Sequence, residues 1–320
     1  MSLAKEFQSL ANFLKDDAAY AEPVRTAEDK EVWSRIVRHL EMLWKTDEKR
    51  FFIDYLSGLE RLKISASRIP VLSDINQMLS QIGWSAVYVD GMVDDHLYHE
   101  MQAARIFPVA RRLRRLRDLD HSAAPDFVHD VLGHLPMLFT AHYRFLVREW
   151  AQRAMAAPRE ALDAEISKAL AALIAEHESG VIDPAMIDKK TDELRDLHRR
   201  ARSGTPSLAA RFARFYAWAI EFGIITDGKD RLQISGSASL SSPGELRKIF
   251  NGETQLVSFV NNALDTPIDY TTPQNTMFFV SQFSEYRSVL RSVGKDELMH
   301  PHQQNRKTPR SRMPDIPAGI

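Results

Sequence analysis

The sequence predicts a mainly α-helical fold with a small β element. Apolar residues recur at helical spacing through most of the chain. The stretches with strand character are short and bounded by glycine or proline. The segment 158–207 is rich in Ala, Glu, Lys and Arg, and its two apolar stripes are separated by a breaker, the pattern of a helical hairpin. At 320 residues and 44% apolar content the chain can bury a substantial core, as one large domain or two.

Residues 1–22 are weakly patterned and read as a loose amphipathic arm. Thr26-Ala-Glu-Asp29 then reads as a capping-box start. Behind it Val32, Trp33, Ile36, Val37, Leu40, Leu43 and Trp44 recur at helical spacing. A second helix carries Phe51, Phe52, Tyr55, Leu56, Leu59 and Leu62 on its apolar side. A third, from about Ser73 to Ile82, is stopped by Gly83. Trp84 to Val89 is aromatic and β-branched between Gly83 and Asp90-Gly91, which predicts a strand and turn. Helical pattern resumes from Asp95 to Arg105. Ile106-Phe107-Pro108-Val109-Ala110 is too short and proline-broken for a long helix.

Residues 137–155 have helical pattern, and the hairpin follows. Its first stripe is Leu162, Ile166, Leu170, Leu173 and Ile174, its breaker runs from Ser179 to Pro184, and its second stripe is Met186, Ile187, Leu194 and Leu197. From Ser207 to Gly223 the pattern is a helix apolar nearly all round, hence buried. Arg231 to Glu245 reads as a short strand and a Ser/Gly-rich loop entering a helix. Further helices from about Glu245 and about Thr254, and a strand over Thr276–Val280, complete a domain expected to span 23–299. The tail from 300 to 320, with four prolines and no periodicity, is expected to be disordered or draped on the surface.

Composition narrows the partners. A formal charge of −1 provides no global field for nucleic acid or anionic lipid. The count of zero cysteines excludes disulfides and thiolate metal ligands. The N-terminus lacks a basic segment followed by an apolar run, and no stretch is long enough to span a bilayer. A cytoplasmic protein is the expectation. The densest basic run, Arg111 to Arg117, has three readings: a solvated face, a nucleic-acid patch, or a site where one arginine turns inward to grip a carboxylate. Asp118 and Asp120 partly neutralise it, and it lacks the interleaved aromatics that stack on bases.

The chemistry concentrates in Pro125-Asp126-Phe127-Val128-His129-Asp130-Val131-Leu132-Gly133-His134-Leu135-Pro136. Two histidines five residues apart diverge by about 140° on a straight α-helix. Zinc proteases place theirs four apart on one face. A converging pair here needs a π-like bulge or a helix end, which Gly133 makes easier. Glu221, a carboxylate on an otherwise apolar helix, must be paired, protonated or bound to metal. It is the best candidate for a third ligand. His129, His134 and Glu221 would leave about three positions open on the ion, the arrangement of non-haem Fe(II) enzymes. A zinc hydrolase can use the same ligand types. Asp126 can be either a helix N-cap or a group orienting a ligand imidazole.

These residues carry a resemblance. Pro125-Asp126-x-x-His129-Asp130-x-x-Gly133-His134-x-Pro136, then Glu221-Phe222-Gly223 and Ser241-Ser242-Pro243-Gly244-Glu245, resemble the pterin-dependent aromatic amino acid hydroxylases. The bacterial phenylalanine hydroxylase branch, with His-Asp where animal enzymes have His-Glu, is the closest likeness. The match runs from Ile69 through Pro136, including Arg105-Ile-Phe-Pro-Val109 and Arg112-Leu-Arg114, and resumes from Arg211 to roughly Val293.

The resemblance implies one mostly helical catalytic domain with 158–207 as an inserted hairpin. It implies Fe(II) on His129, His134 and Glu221, a tetrahydropterin as two-electron donor, and O2 and an aromatic amino acid as substrates, phenylalanine being the default. Carried over by position, the pterin lies against Gly91-Met92-Val93 and stacks on Tyr98, with Asp130 and Tyr216 nearby. Arg114 holds the substrate carboxylate, helped by Ser241 and the segment near Ser122. Pro125 and Phe222 wall the ring pocket.

Three departures bear on the substrate. The family's Tyr-Trp-Phe-Thr-Val-Glu-Phe-Gly is here Tyr216-Ala217-Trp218-Ala219-Ile220-Glu221-Phe222-Gly223. Ala217, four before Glu221, is expected on its face and opens space for tryptophan or another larger ring. The family's Tyr-Gly-Ala-Gly is Ser235-Gly236-Ser237-Ala238, and its Gln-Glu before Pro-Asp is Ala123-Ala124. The hairpin would serve as a lid or a homo-oligomer contact. A zinc-type metallohydrolase and a catalytically dead binding module are the alternatives.

Overall fold

The computed structural model describes residues 7–122, 124–178, 183–202, 204–226, 232–270 and 272–294. The described part of the expected arm, residues 7–22, is docked rather than loose. Helix α1 (Gln8–Phe13) buries Leu10. The Leu10 N–H donates to Glu100 Oε2 at 2.6 Å. Glu22 pins the end of the arm, accepting from the Leu72 N–H at 2.5 Å and from the Tyr88 hydroxyl at 2.8 Å. These bonds tie a segment of weak sequence pattern to the core, which is why periodicity missed it.

Helix α2 (Ala27–Thr46) opens on the predicted capping box, with Asp29 N–H to Thr26 Oγ1 at 3.1 Å and Thr26 N–H to Asp29 Oδ2 at 2.7 Å. Helices α3 (Ile53–Arg61) and α4 (Leu72–Leu79) follow. A single 3-10 turn extends α4 to Gly83, whose φ of 71° supplies the left-handed stop. Strand β1 (Ser85–Val89), helix α5 (Asp95–Ala103) and strand β2 (Ile106–Ala110) form a parallel pair with its crossover. Pro108 sits within β2 opposite Val87. Only one partner strand flanks β2, so the missing N–H is tolerated.

After the site segment come α6 (Ala141–Met155) and the hairpin α7 (Ala161–Glu178) and α8 (Pro184–Arg202). Leu173, Ile174, Leu194 and Leu197 are buried, yet they stand outside the main apolar cluster that runs from Phe7 to Val293. The hairpin therefore has a small core of its own. Polar ties fasten it to the body: Arg159 to Asp95 at 2.6 Å, and the Arg112 guanidinium to the His177 carbonyl at 3.5 Å.

Helix α9 (Leu208–Phe215), strands β3 (Ile224–Thr226) and β4 (Leu232–Ile234), and helices α10 (Ser237–Leu240) and α11 (Pro243–Phe250) lead to β5 (Gln255–Ser258), α12 (Phe259–Asn262), β6 (Thr276–Val280) and α13 (Phe283–Ser292). The second sheet has strand order β4-β3-β6-β5. The expected helix from Thr254 is corrected here. Gln255–Ser258 pairs in parallel with Thr276–Phe279, and only Phe259–Asn262 turns helical. A distant partner strand overrode local pattern. The tail 300–320 lies outside the described residues. Among them, no helix is long and apolar enough to cross a membrane.

Candidate active site

The awkward histidine spacing is resolved by the backbone. Phe127–His129 is α-helical, Asp130–His134 is a π-turn, and Leu135–Met137 resumes the α-helix. The wider turn brings the imidazoles together, with Nε2 of His129 and of His134 3.1 Å apart. Gly133 permits it, because a Cβ there would lie 2.3 Å from the Ser237 carbonyl oxygen. A second π-turn, Tyr216–Glu221, follows α9 and delivers the carboxylate. Glu221 Oε1 is 3.2 Å from His134 Nε2, and Oε2 is 3.4 Å from His129 Nε2. Ligand atoms of all three lie within 4.8 Å of one another.

Protonation suits a cation. Burial pushes the His129 imidazolium down to about 4, so the ring is neutral at pH 7. Burial alone would raise the Glu221 carboxyl, but the facing His134 and His129 and two hydrogen bonds bring it down to about 2. Neighbouring hydroxyls orient the rings. Ser241 donates to the Ser237 carbonyl at 2.8 Å, so its oxygen is free to accept from His129 Nδ1 at 3.2 Å. Tyr143, fully buried on α6, meets His134 Nδ1 at 2.7 Å. With both Nδ1 nitrogens engaged, both Nε2 lone pairs face the gap.

The structure shows which protein partners Asp126, Ser241 and Ser122 have. Asp126 is the N-cap, accepting from the His129 backbone N–H at 3.0 Å, and the His129 ring is oriented by Ser241 instead. Ser241, expected beside a substrate carboxylate, lies against the His129 ring. The Ser122 hydroxyl is spent on the Ala124 carbonyl at 2.7 Å, and Pro125 beyond it is exposed. Arg114 does turn inward, onto the chain's own Asp126: Nε to Oδ2 at 3.0 Å and Nη2 to Oδ1 at 2.8 Å. Its side chain is 2% exposed, and its Nη1 is buried without a partner. The rest of the basic run is partly absorbed as well, with Arg111 on Asp90 at 3.0 Å.

Tyr98 and Tyr216 join through their hydroxyls at 2.5 Å, edge to face, with Trp150 against Tyr216. The Tyr216 ring lies 6.3 Å from that of His134. Asp130 accepts from the Ala110 N–H at 2.7 Å, and burial pushes its carboxyl up to about 7. Gly91, exposed at φ 65°, turns the chain from β1 towards α5, with Val93 half-buried. Phe222 is buried, its ring 6.4 Å from Tyr270. Ala217 is fully buried, and the Phe222 N–H reaches back to its carbonyl at 3.0 Å. Ala217 thus lies in a π-turn, where the hydrogen-bonded step is five residues rather than the four of the expected α-helix.

Sequence reasoning missed Tyr143, which reaches His134 from the next helix and shares no local spacing with it. In the sequence Ser237 stands out only as a polar residue where the family has alanine. Its hydroxyl lies 2.8 Å from Glu221 Oε2.

The fold and this cluster define a helical protein with a two-histidine, one-carboxylate metal-binding constellation. Residues 4–172 match the sequence profile of the biopterin-dependent aromatic amino acid hydroxylases. The chain belongs to that family. The matched stretch includes His129 and His134 and ends before Glu221, so the third ligand rests on geometry. Phenylalanine-4-hydroxylase of Chromobacterium violaceum is 36% identical over 115 residues, 35% of this chain and 37% of that protein. Its counterpart in Vibrio cholerae is 26% identical over 215 residues, 67% of this chain and 57% of that protein. The matched segments thus span well under two thirds of these relatives' own length. The crystal structure of the Chromobacterium violaceum enzyme with bound oxidised Fe(III) superposes with a TM-score of 0.66 at 22% identity, covering 90% of each chain. The same enzyme with iron(III) and 7,8-dihydrobiopterin gives a TM-score of 0.65 at 22% identity, covering 89% of each chain. At that identity the likeness establishes the shared fold.

Proposed function

We propose that this protein is an Fe(II)- and tetrahydropterin-dependent monooxygenase that hydroxylates the ring of an aromatic amino acid with O2, phenylalanine being the default substrate. The observation that carries the reading is the cluster of His129 Nε2, His134 Nε2 and a Glu221 oxygen in a member of this family. The donor set fits a divalent iron: two imidazole nitrogens and one carboxylate, each held by a neighbouring hydroxyl. When bound, iron together with a reduced pterin supplies the electrons and the site for O2 activation. The family match leaves the metallohydrolase alternative without support.

The chain's own residues bind, orient and exclude water. Arg114, locked by Asp126, offers its unpartnered Nη1 to a substrate carboxylate. Because the guanidinium is already fixed, little rotamer entropy is lost on binding. Phe222 and Tyr270 present aromatic faces for the substrate ring, with Pro125 and Ala217 as further lining. Tyr98, with Tyr216 bonded to it, is the stacking surface for the pterin, beside Asp130 and the Gly91–Val93 turn. Ala217 in place of the family's tryptophan supports a larger or differently seated ring, tryptophan included. The hairpin offers a self-assembly surface, with Met186 37% exposed on α8. A Met186→Glu variant that sediments like wild type would remove that contact from consideration. A cytoplasmic location completes the reading.

The test is anaerobic loading with Fe(II), then addition of tetrahydropterin, O2 and a panel of aromatic amino acids, read by product mass. The expected outcome is gain of one oxygen atom on one substrate, dependent on every component. Turnover without O2 overturns it. Ala217→Trp should shift selectivity towards phenylalanine by roughly tenfold, the scale of a few heavy atoms in an apolar pocket. Unchanged ratios would remove the pocket argument.

A further inference from the structure

The three hydroxyls around the ligand cluster are not equivalent. Ser241 and Tyr143 meet the Nδ1 nitrogens of His129 and His134, on the side of each ring away from the gap between the ligands. Ser237 meets atoms that face the gap. Its Oγ lies 2.8 Å from Glu221 Oε2 and 3.2 Å from His134 Nε2, and the residue is fully buried. The related Tyr-Gly-Ala-Gly pattern has alanine at this position, so the hydroxyl is a feature of this chain.

Its place is held from both sides. The Ser237 carbonyl accepts from Ser241 Oγ at 2.8 Å. Gly133 of the first π-turn packs so closely that a Cβ would come 3.0 Å from the Ser237 Cβ. The serine therefore cannot move towards the first π-turn without displacing it.

A serine hydroxyl has one proton to give. Three acceptors compete for it: Glu221 Oε2, His134 Nε2 and the Ile220 carbonyl at 3.0 Å. A cation between the ligands takes the Nε2 lone pair, and an ionised carboxylate outcompetes a peptide carbonyl. The proton then belongs to Oε2.

Resting on the metal reading above, we propose that Ser237 is a positioning residue that holds Glu221 by Oε2, so that the carboxylate meets the metal through Oε1 alone. Two imidazoles and one oxygen leave about three positions of an octahedron open, whereas chelation by both carboxylate oxygens leaves about two. The hydroxyl thereby keeps a coordination position available for the small molecules that must meet at the metal.

Mn(II) is the probe, added anaerobically to the full-length protein, wild type and Ser237→Ala. Longitudinal relaxation of water protons reports how many exchangeable waters occupy the open positions of the bound ion. Wild type is expected to show about three and Ser237→Ala about two. Ser237→Ala, which only removes an oxygen, should keep the melting temperature within a few degrees and lose about a third of the relaxation enhancement at saturation. Ser241→Ala, which releases an imidazole rather than the carboxylate, should weaken Mn(II) affinity roughly tenfold with the enhancement at saturation unchanged. Equal enhancement for wild type and Ser237→Ala overturns the inference while leaving the metal site intact. A folded Ser237→Ala that binds no Mn(II) also overturns it, since the serine would then be needed for binding itself. Failure of wild type to bind Mn(II) overturns the metal reading together with this one.

Discussion

The hairpin α7–α8 and the two π-turns are all helical, yet they are built on opposite rules. The hairpin is regular, carries its own small apolar core, and supplies none of the three ligands. The turns Asp130–His134 and Tyr216–Glu221 are irregular, lie inside the main core, and supply His134 and Glu221, with His129 immediately before the first. Regular helix places side chains on one stripe, which suits packing against a neighbour. A wider turn brings together atoms that a stripe would keep apart, at the expense of weaker backbone hydrogen bonding. The core around the turns offsets that weakness. Function here sits where local regularity was given up and burial holds the result in place.

The sharpest way to break this contrast is at a ligand. Glu221→Ala should abolish stoichiometric Fe(II) binding and reduce turnover by ~1,000-fold or more, measured by metal analysis and product formation. Next comes the π-turn backbone. Gly133→Ala drives a Cβ to 2.3 Å from the Ser237 carbonyl oxygen. Neither backbone can yield cheaply, so a loss on the order of 3 kcal/mol in stability is expected, with loss of metal. A variant that melts like wild type and keeps its metal would show that the turn is not as tightly held as its geometry implies.

A buried carboxyl outside the turns gives a smaller, pH-dependent effect. Glu245 on α11 is 1% exposed, and its Oε1 accepts from the Gln274 N–H at 2.9 Å while Oε2 has no partner. Burial pushes its carboxyl from 4.5 up to about 7. The folded protein therefore keeps a proton that the unfolded chain gives up. The associated stability is complete below about 4.5 and is lost as pH rises towards about 7. Glu245→Gln, which retains the oxygen acceptor, should be more stable than wild type at pH 8, by on the order of 2 kcal/mol, and no more stable than wild type near pH 4. An equal gain at both pH values would refute the burial argument. Smallest for catalysis is Leu194→Ala in the hairpin, expected to cost about 2 kcal/mol locally while leaving Fe(II) content and turnover within a factor of two. Loss of metal on that change would erase the distinction between the two regions.

Much of the regular structure was legible because it obeys local rules. The Thr26–Asp29 capping box, the Gly83 stop, the two helices of the hairpin and the strand at Thr276–Val280 all appear as their patterns predict, although Met186 of the second stripe is exposed. The helix expected from Thr254 failed because a strand partner twenty residues on decides its conformation. The docked arm failed because single long-range bonds from Glu22 and Glu100 leave no periodic trace. At the site, the ligand types and the need for a bulge were readable from the His–His spacing. Asp126 shows the limit: its type and position allowed two roles, and only the proximity of Arg114 and Ser241 separated them. Tyr143 was invisible for the same reason.

The five-residue spacing of His129 and His134 has a consequence for how such a site can change. A π-turn is what one surplus residue leaves behind in an α-helix. Removing a residue between the histidines would restore regular pitch and bring them to a four-residue step. It would also rotate Leu135–Met137 by about 100° about the helix axis and take Gly133 away from Ser237. No series of substitutions leads from one geometry to the other, since each alters side chains and leaves the register alone. This centre is separated from four-residue histidine sites by a change in chain length, and its descendants can exchange linings freely while the ligand frame stays fixed.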